Sequence, residues 1–131
     1  MPDPVLAARV FLVSSGAVFL VVFAIPLVVD PLRWARAFRW RLPEGGSEMT
    51  VYLGRSTGAL ALTIVVFALP AIGDPRAHRA VFELVAWACG LVGLVHVWGA
   101  IRRTQPWTED AEIVMYAAVC GVATWLWFAL G

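Results

Sequence analysis

Four long stretches without a charged residue alternate with short charged segments along the chain. These stretches cover residues 10–29, 56–73, 84–101 and 113–131. About twenty apolar residues in a helix cross a hydrocarbon core of roughly 30 Å, at 1.5 Å per residue. Backbone groups in lipid must be satisfied within their own segment, so each stretch is predicted to be a helix. With flanking residues added, the predicted membrane spans cover about residues 9–29, 52–73, 81–101 and 111–130.

The segment between the first two spans is patterned as a separate short helix. Asp30 followed by Pro31 is a strong helix start, because Asp caps a helix and Pro fits its first position. Over residues 31–41 a helical period places aromatic side chains on one side and Arg on the other. This pattern predicts a basic amphipathic helix in the headgroup layer, with its Arg on anionic lipid. The predicted membrane-surface residues are Arg33, Trp34, Arg36, Phe38 and Arg39, with Trp40 on the Arg side.

The two later connections are short, so consecutive spans are predicted to be antiparallel neighbours. The chain is therefore predicted to be all-α, with one transmembrane domain over residues 1–131. This domain is an integral membrane four-helix up-down bundle, with the short interfacial helix between helices 1 and 2. Gly54-x-x-x-Gly58 opens the second span with a small surface for close packing. Its partner is either another helix of the bundle or a second copy in a homodimer.

Composition agrees with the membrane assignment. Hydrophobic residues make up 61% of the chain and charged residues 15%, whereas soluble domains average about 45–50% and 25%. A chain this short cannot bury that much apolar surface from water. The net charge of +1 gives no general attraction to nucleic acid, so no nucleic-acid partner is expected.

The Arg residues are distributed unevenly between the two sides of the predicted bundle. Seven lie in the first and third connections and three on the opposite side, and the chain has no Lys. Because positive residues favour the cytoplasmic side, both termini are predicted to lie outside.

The predicted spans lack the residue patterns that ion transport, haem binding and metal binding usually require. Their centres carry no charged residue, which disfavours an ion-coupled transporter. His78 and His96 fall in opposite membrane halves, so they cannot jointly hold a haem. Cys89 and Cys120 belong to no C-x-x-C pattern and are expected to be reduced packing residues. We expect no cofactor and no metal.

One polar layer remains, where the second and fourth spans begin and the third span ends. His96 lies there, roughly 7–8 Å below the membrane boundary, and burying an unpaired polar group costs a few kcal/mol. Glu112, Tyr116 or Tyr52 can be its partner if the bundle closes in chain order. The candidate ligand-binding residues are Tyr52, Arg55, His96, Arg103, Glu112 and Tyr116.

Three interpretations of this layer stay open at this point. The first is an interhelical clamp in which Arg55 pairs with Glu112 and His96 bonds Tyr116. The second is a half-open pocket at the cytoplasmic leaflet for an amphipathic molecule, whose polar head meets Arg55, His96 and Glu112. The third is a surface for a partner protein, with residues 105–110 as the exposed epitope.

Motifs from Leu53 onward resemble those of two groups of small four-helix membrane proteins. Arg55-Ser56-Thr57-Gly58 opens the second span, and His96, Trp98 and Arg102-Arg103-Thr104 stand near the end of the third. These elements resemble the ergosterol-biosynthesis scaffold family, which implies a scaffold for sterol-demethylation enzymes. The four-span plan also resembles the DoxX-like uncharacterised bacterial proteins, a name that covers no single chemistry. Ten Arg without Lys are typical of a GC-rich bacterial genome, which favours the second group and a bacterial inner membrane.

Together these features predict a non-catalytic membrane accessory or scaffold protein. Its predicted role is to hold a lipid-like small molecule or a partner enzyme at the cytoplasmic leaflet. The alternative is a membrane enzyme, an isomerase or reductase of a lipophilic substrate, with His96 or Glu112 as acid/base. A catalytic pair would point into a cavity that reaches the leaflet, whereas a structural clamp would be packed without one.

Overall fold

A computed structural model describes residues 3–42 and 48–131 of the chain. Every regular element in these two ranges is a helix, as the sequence predicts. The α-helices are α1 (Pro4–Val18), α2 (Ile25–Val29), α3 (Pro31–Ala37), α4 (Glu48–Gly73), α5 (Ala80–Arg102) and α6 (Trp107–Ala129). A π-helical stretch, Phe19–Ala24, joins α1 to α2, so Pro4–Val29 forms one continuous first long helix.

Four helices in the described ranges are long and apolar enough to cross a membrane. They are the first long helix, α4, α5 and α6, with 26, 26, 23 and 23 residues. Each begins before the span predicted for it, because polar side chains at a helix end do not interrupt the helix. The difference matters most in α6, which begins at Trp107 rather than near residue 111. Glu109 and Glu112 are therefore three residues apart on one helix face.

The π-helical stretch of the first long helix lies just before Pro26. Proline has no backbone N–H, so Pro26 cannot donate to the carbonyl of Val22, four residues earlier. The indole Nε1 of Trp34 in α3 donates to that carbonyl at 2.7 Å. Because Pro26 leaves this carbonyl without its usual α-helical donor, the Trp34 bond anchors α3 on the first long helix.

Helix α3 begins where the sequence predicts and ends earlier. The Asp30 carboxylate caps it by accepting from the backbone N–H of Arg33 at 3.0 Å. The helix ends at Ala37 rather than at residue 41, because Arg39 adopts a left-handed backbone conformation with φ of 63°. The prediction that Trp40 shares the Arg-bearing side is therefore wrong. The turn at Arg39 redirects Trp40 toward the start of α6, where its indole is bonded.

Helix α4 packs through the two glycines of its G-x-x-x-G motif, with Gly58 on the first long helix and Gly54 on the start of α3. A Cβ added at Gly54 would lie 2.5 Å from Pro31 Cβ, and one added at Gly58 would lie 2.8 Å from Leu27 Cβ. The close approach therefore requires glycine at both positions. The motif is used within the chain, as one of the two sequence-based alternatives expects.

Helix α5 packs mainly on α6, and small residues again allow the close approach. A Cβ added at Gly93 would lie 3.3 Å from Tyr116 Cβ, and one added at Gly90 would lie 3.5 Å from Cys120 Sγ. The contacts between the long helices follow the order of the chain, with α4 touching α5 only lightly. Tyr52 near the start of α4 is exposed, so it is not the partner of His96.

The end of the bundle that lies away from α3 is closed by apolar residues. The buried cluster at this end consists of Ala8, Leu12, Ala71, Val81, Phe82, Leu126 and Leu130. The Arg9 guanidinium donates to the carbonyl of Gly73 at 2.9 Å and so joins the start of α1 to the end of α4. The opposite end of the bundle, beside α3, contains buried polar side chains instead.

Candidate functional site

Three ionisable side chains converge where α5 ends and α6 begins. His96 Nε2 lies 3.0 Å from Glu109 Oε2 and 3.6 Å from Glu112 Oε2. The side chains of His96, Glu109 and Glu112 are 13%, 6% and 10% exposed, so water reaches them poorly. We call these three residues the His–Glu cluster. Two carboxyl groups therefore share one imidazole in this buried cluster.

The backbone decides which nitrogen of His96 carries a proton. Nδ1 lies 2.8 Å from the carbonyl oxygen of Val92. A carbonyl oxygen only accepts hydrogen bonds, so Nδ1 is the donor. In a neutral ring, Nε2 then directs a lone pair at two carboxylates. Such a group of acceptors requires a proton or another cation among its atoms.

Glu109 is held by the segment that follows α3. Its Oε1 accepts from Trp40 Nε1 at 2.8 Å. Beside it, the Thr108 hydroxyl donates to the carbonyl of Phe38 at 2.5 Å. These two bonds join residues 38–40 to the first turn of α6, and they leave Glu109 Oε2 directed at His96.

Glu112 is the least satisfied member of the cluster. Its Oε1 is fully buried and accepts no hydrogen bond from any described residue. Tyr116, one turn further along α6, interacts with the carboxylate, and its ring lies 4.9 Å from that of His96 between centroids. A buried acceptor without a partner costs about 1–3 kcal/mol. Glu112 therefore has spare capacity to bind a cationic or donor group.

Packed aromatic rings run from the cluster to α3. The Tyr116 ring contacts Phe19 at 6.3 Å, and Phe19 contacts Phe23 at 5.4 Å between centroids. The Phe23 ring lies 6.0 Å from both Trp34 and Phe38, which stack on each other at 4.3 Å. The inner face of α3 and the cluster thus share one continuous packed region.

The connection between α5 and α6 closes over the cluster. Gln105 Nε2 donates to the carbonyl of His96 at 2.9 Å and to Asp110 Oδ1 at 2.8 Å. The Gln105 side chain lies directly over Gly99, where a Cβ would overlap it. Glu109 is buried beneath this connection, so residues 105–110 are not the uniformly exposed epitope that the sequence suggests.

The predicted ligand-binding residues do not all come together in the structure. His96, Glu112 and Tyr116 come together, whereas Tyr52 and Arg55 line a hollow of about 490 Å³ on the outer face of α4. Arg103, which ends α5 in a left-handed conformation, is exposed.

The ion pairs in the structure differ from those expected for an interhelical clamp. Within residues 3–42 and 48–131 the ion pairs of Glu112 and Glu109 are made with His96, and none joins Arg55 to Glu112. Gly54 faces Pro31 at the start of α3 and Gly58 faces Leu27 of the first long helix, whereas Arg55 between them is exposed.

Two residues of the site escaped the sequence analysis, Glu109 and Trp40. Glu109 entered the sequence analysis only as part of the exposed segment 105–110, although its spacing of three from Glu112 and seven from Tyr116 places all three on one face. That spacing was the available signal. The position of Trp40 carried no signal, because it depends on the backbone conformation of Arg39.

The cluster lines neither of two hollows on the described part of the chain. One is the hollow of Tyr52 and Arg55 on α4. The other, of about 550 Å³, lies between α5 and α6 and is lined mostly by apolar residues such as Trp87 and Phe128, with Glu83 among them. The low exposure of His96, Glu109 and Glu112 makes the cluster a closed, poorly hydrated site.

No protein-family model, curated protein or solved structure matches the chain. The resemblances noted from Leu53 onward therefore stay predictions. What the protein does has to be argued from its own geometry.

Proposed function

We propose that the protein is a non-catalytic membrane accessory protein that holds anionic lipid-like molecules at the surface of one leaflet. The binding surface consists of α3 and the adjoining start of α4. One observation carries the proposal: Arg33 and Arg36 are exposed on one side of α3, while Trp34 and Phe38 stack together on the Phe23 ring. Guanidinium groups in the headgroup layer attract anionic lipid, at about 1 kcal/mol for each residue.

The position of α3 is fixed by contacts along its length. Trp34 is bonded to the carbonyl of Val22, Pro31 packs on Gly54, and Trp40 beyond its end is bonded to Glu109. A preorganised set of binding groups loses little conformational freedom when a ligand binds. These contacts support a defined binding surface rather than a loosely attached basic segment.

The hollow on α4 supplies a place for one headgroup and the upper part of its chain. Arg55 and Tyr52 offer a guanidinium and a hydroxyl to a phosphate, and Val51 and Ala59 line the apolar part. Glu48 also lines the hollow and opposes an anion there, so the Arg side chains of α3 remain the main attraction. The contact of Gly54 with Pro31 places this hollow at the same end of the bundle as α3.

The proposal includes an orientation. The four long helices cross the membrane in alternating directions, with both termini on the side away from α3. Seven of the ten Arg residues lie on the α3 side, which favours the cytoplasmic leaflet. The composition, with Arg and no Lys, supports a bacterial inner membrane.

Native mass spectrometry of the full chain tests the proposal. The protein is reconstituted into nanodiscs with equal phosphatidylglycerol and phosphatidylcholine, released, and the retained lipids are identified. We expect the unchanged protein to retain phosphatidylglycerol preferentially. The variant Arg33→Gln/Arg36→Gln should lower the preference about thirtyfold, since two guanidinium groups contribute about 2 kcal/mol.

A single-charge comparison separates local binding from net charge. Arg36→Gln should weaken the preference about fivefold, whereas Arg76→Gln, an exposed Arg at the other end of the bundle, should leave it unchanged. Equal effects of these two variants, or no preference in the unchanged protein, would refute the proposal. The variant Arg55→Gln tests whether the hollow on α4 takes part.

A further inference from the structure

We infer that the His–Glu cluster is a binding site for one divalent transition-metal ion, with Zn²⁺ the best-matched ion. The ligand atoms are His96 Nε2, Glu109 Oε2 and Glu112 Oε2. This site is separate from the lipid-binding surface proposed above, because it uses different residues inside the bundle.

The spacing of the donor atoms matches a coordination shell. In a tetrahedral site with metal–ligand bonds of about 2.0–2.1 Å, neighbouring ligand atoms lie about 3.3 Å apart. Nε2 of His96 lies 3.0 Å from one carboxylate oxygen and 3.6 Å from the other. One donor atom from each of the three residues lies within 4.8 Å of the other two. The two imidazole–carboxylate distances are already close to those of a coordination shell, and an ion would draw the two carboxylates together.

Two of the three ligands already have the outer partners that metal ligands usually have. The His96 Nδ1–H donates to the carbonyl of Val92, which leaves Nε2 as the free donor atom. The Glu109 Oε1 accepts from Trp40, which directs its Oε2 toward the same point. Such contacts orient ligand atoms before the metal binds.

The third ligand supplies an independent indication of a ligand. The Glu112 side chain is nine-tenths buried, and its Oε1 has no hydrogen-bond partner among the described residues. A second carboxylate, that of Glu109, is buried beside it. A neutral His96 with both carboxylates ionised gives a charge of −2, which a divalent cation neutralises. Burying the two carboxylate charges without such compensation is strongly unfavourable.

The donor set selects among cations. An imidazole nitrogen suits Zn²⁺ and neighbouring transition ions, whereas Mg²⁺ prefers oxygen ligands and retains several waters. Three protein ligands with one position left open are usual for Zn²⁺ sites that are not purely structural. We therefore expect Zn²⁺ to bind much more tightly than Mg²⁺.

Titration of the purified full chain with Zn²⁺ tests the inference. The protein is prepared in detergent without a polyhistidine tag, and bound metal is measured by calorimetry and elemental analysis. We expect one Zn²⁺ per chain and no comparable uptake of Mg²⁺. Co²⁺ bound in its place should give the strong visible absorption of a four-coordinate ion, which reports on the site without any substitution.

One variant of a proposed ligand and two control variants test which residues bind the ion. Glu112→Gln keeps the shape of the side chain and should weaken Zn²⁺ binding at least about tenfold, as loss of even an outer-shell partner does. Glu83→Gln removes an exposed acid at the other end of α5 and should leave binding unchanged. Cys89→Ala/Cys120→Ala should also bind normally, which excludes the two thiols. Far-UV circular dichroism checks that each variant keeps its helices.

Two results would overturn the inference. One is a helical, unchanged protein that takes up neither Zn²⁺ nor Co²⁺ stoichiometrically, which would make the cluster an ion pair between protonated His96 and its carboxylates. The other is a folded Glu112→Gln variant that binds Zn²⁺ as tightly as the unchanged protein. If this variant does not fold, the Co²⁺ spectrum of the unchanged protein decides the question alone. Lipid retention is measured separately, so neither result is confused with failure of the lipid-binding proposal.

Discussion

Replacing Gly58 with Ala should destabilise the protein, whereas the same replacement at Gly121 should stabilise it. A Cβ at Gly58 would lie 2.8 Å from both Leu27 Cβ and the backbone nitrogen of Val28, and 2.9 Å from the carbonyl oxygen of Ala24. Two of these three neighbours are backbone atoms of the first long helix. They cannot rotate away, so α4 and that helix would have to separate.

The magnitude follows from two opposing effects. Overpacking of this kind costs about 1–3 kcal/mol, and exchanging Gly for Ala inside a helix returns up to about 1 kcal/mol. The free energy of unfolding should therefore fall by about 1–2 kcal/mol in Gly58→Ala. At Gly121 no atom lies within 4 Å of an added Cβ, so only the gain of up to about 1 kcal/mol is expected.

The assay is unfolding in mixed micelles with increasing dodecyl sulfate, followed by far-UV circular dichroism. Both variants carry the same chemical change in a membrane-length helix, so each is the control for the other. If Gly58→Ala proved as stable as Gly121→Ala, α4 would not pack on the first long helix at this point. The reason given for the separation of Arg55 from Glu112 would then be lost.

Two further substitutions test the contacts that hold α3 and the α5–α6 connection. Trp34→Phe keeps an aromatic ring on Phe38 but leaves the carbonyl of Val22 without its donor, at a cost of about 1–2 kcal/mol. Amide hydrogen exchange should accelerate in α3 and not in α5; unchanged exchange in α3 would contradict the anchor. Gly99→Ala should displace the flexible end of the Gln105 side chain. Loss of its two hydrogen bonds costs about 1–3 kcal/mol, and the exchange of Gly for Ala in a helix returns up to about 1 kcal/mol, so the free energy of unfolding should fall by about 1 kcal/mol. A gain in stability equal to that of Gly121→Ala in the same dodecyl sulfate assay would argue against the closed connection.

The sequence was sufficient for the elements and only in part for the contacts between them. The charge-free stretches predict all four long helices, and Asp30 followed by Pro31 predicts the start of α3. The short connections predict that consecutive helices are neighbours, and α4 and α5 each contact the helix that follows. The faces through which the helices pack were not predictable in the same way. Apolar side chains are equally satisfied by lipid and by another helix, so hydropathy says nothing about which helix lies beside α4. The choice rests on the shape of the surface around Gly54 and Gly58, which fits Pro31 and Leu27.

Only part of the candidate site could be predicted from the sequence. His96, Glu112 and Tyr116 follow from helical spacing and from the level at which α5 ends and α6 begins. Trp40 does not, because one left-handed residue, Arg39, decides where it points. The expectation of no metal rested on the two His residues and the two Cys residues as possible ligands. It left out the combination of His96 with two glutamates of the following helix.

The most direct test of the proposed function is a lipid titration followed by nuclear magnetic resonance. Backbone amides of the isotope-labelled protein are observed in nanodiscs of phosphatidylcholine as phosphatidylglycerol is added. We expect the amides of α3 and of the residues around Arg55 to shift, while those around Arg76 stay in place. Equal shifts at both ends of the bundle, or shifts confined to the end that contains Arg76, would contradict an anionic-lipid surface at α3.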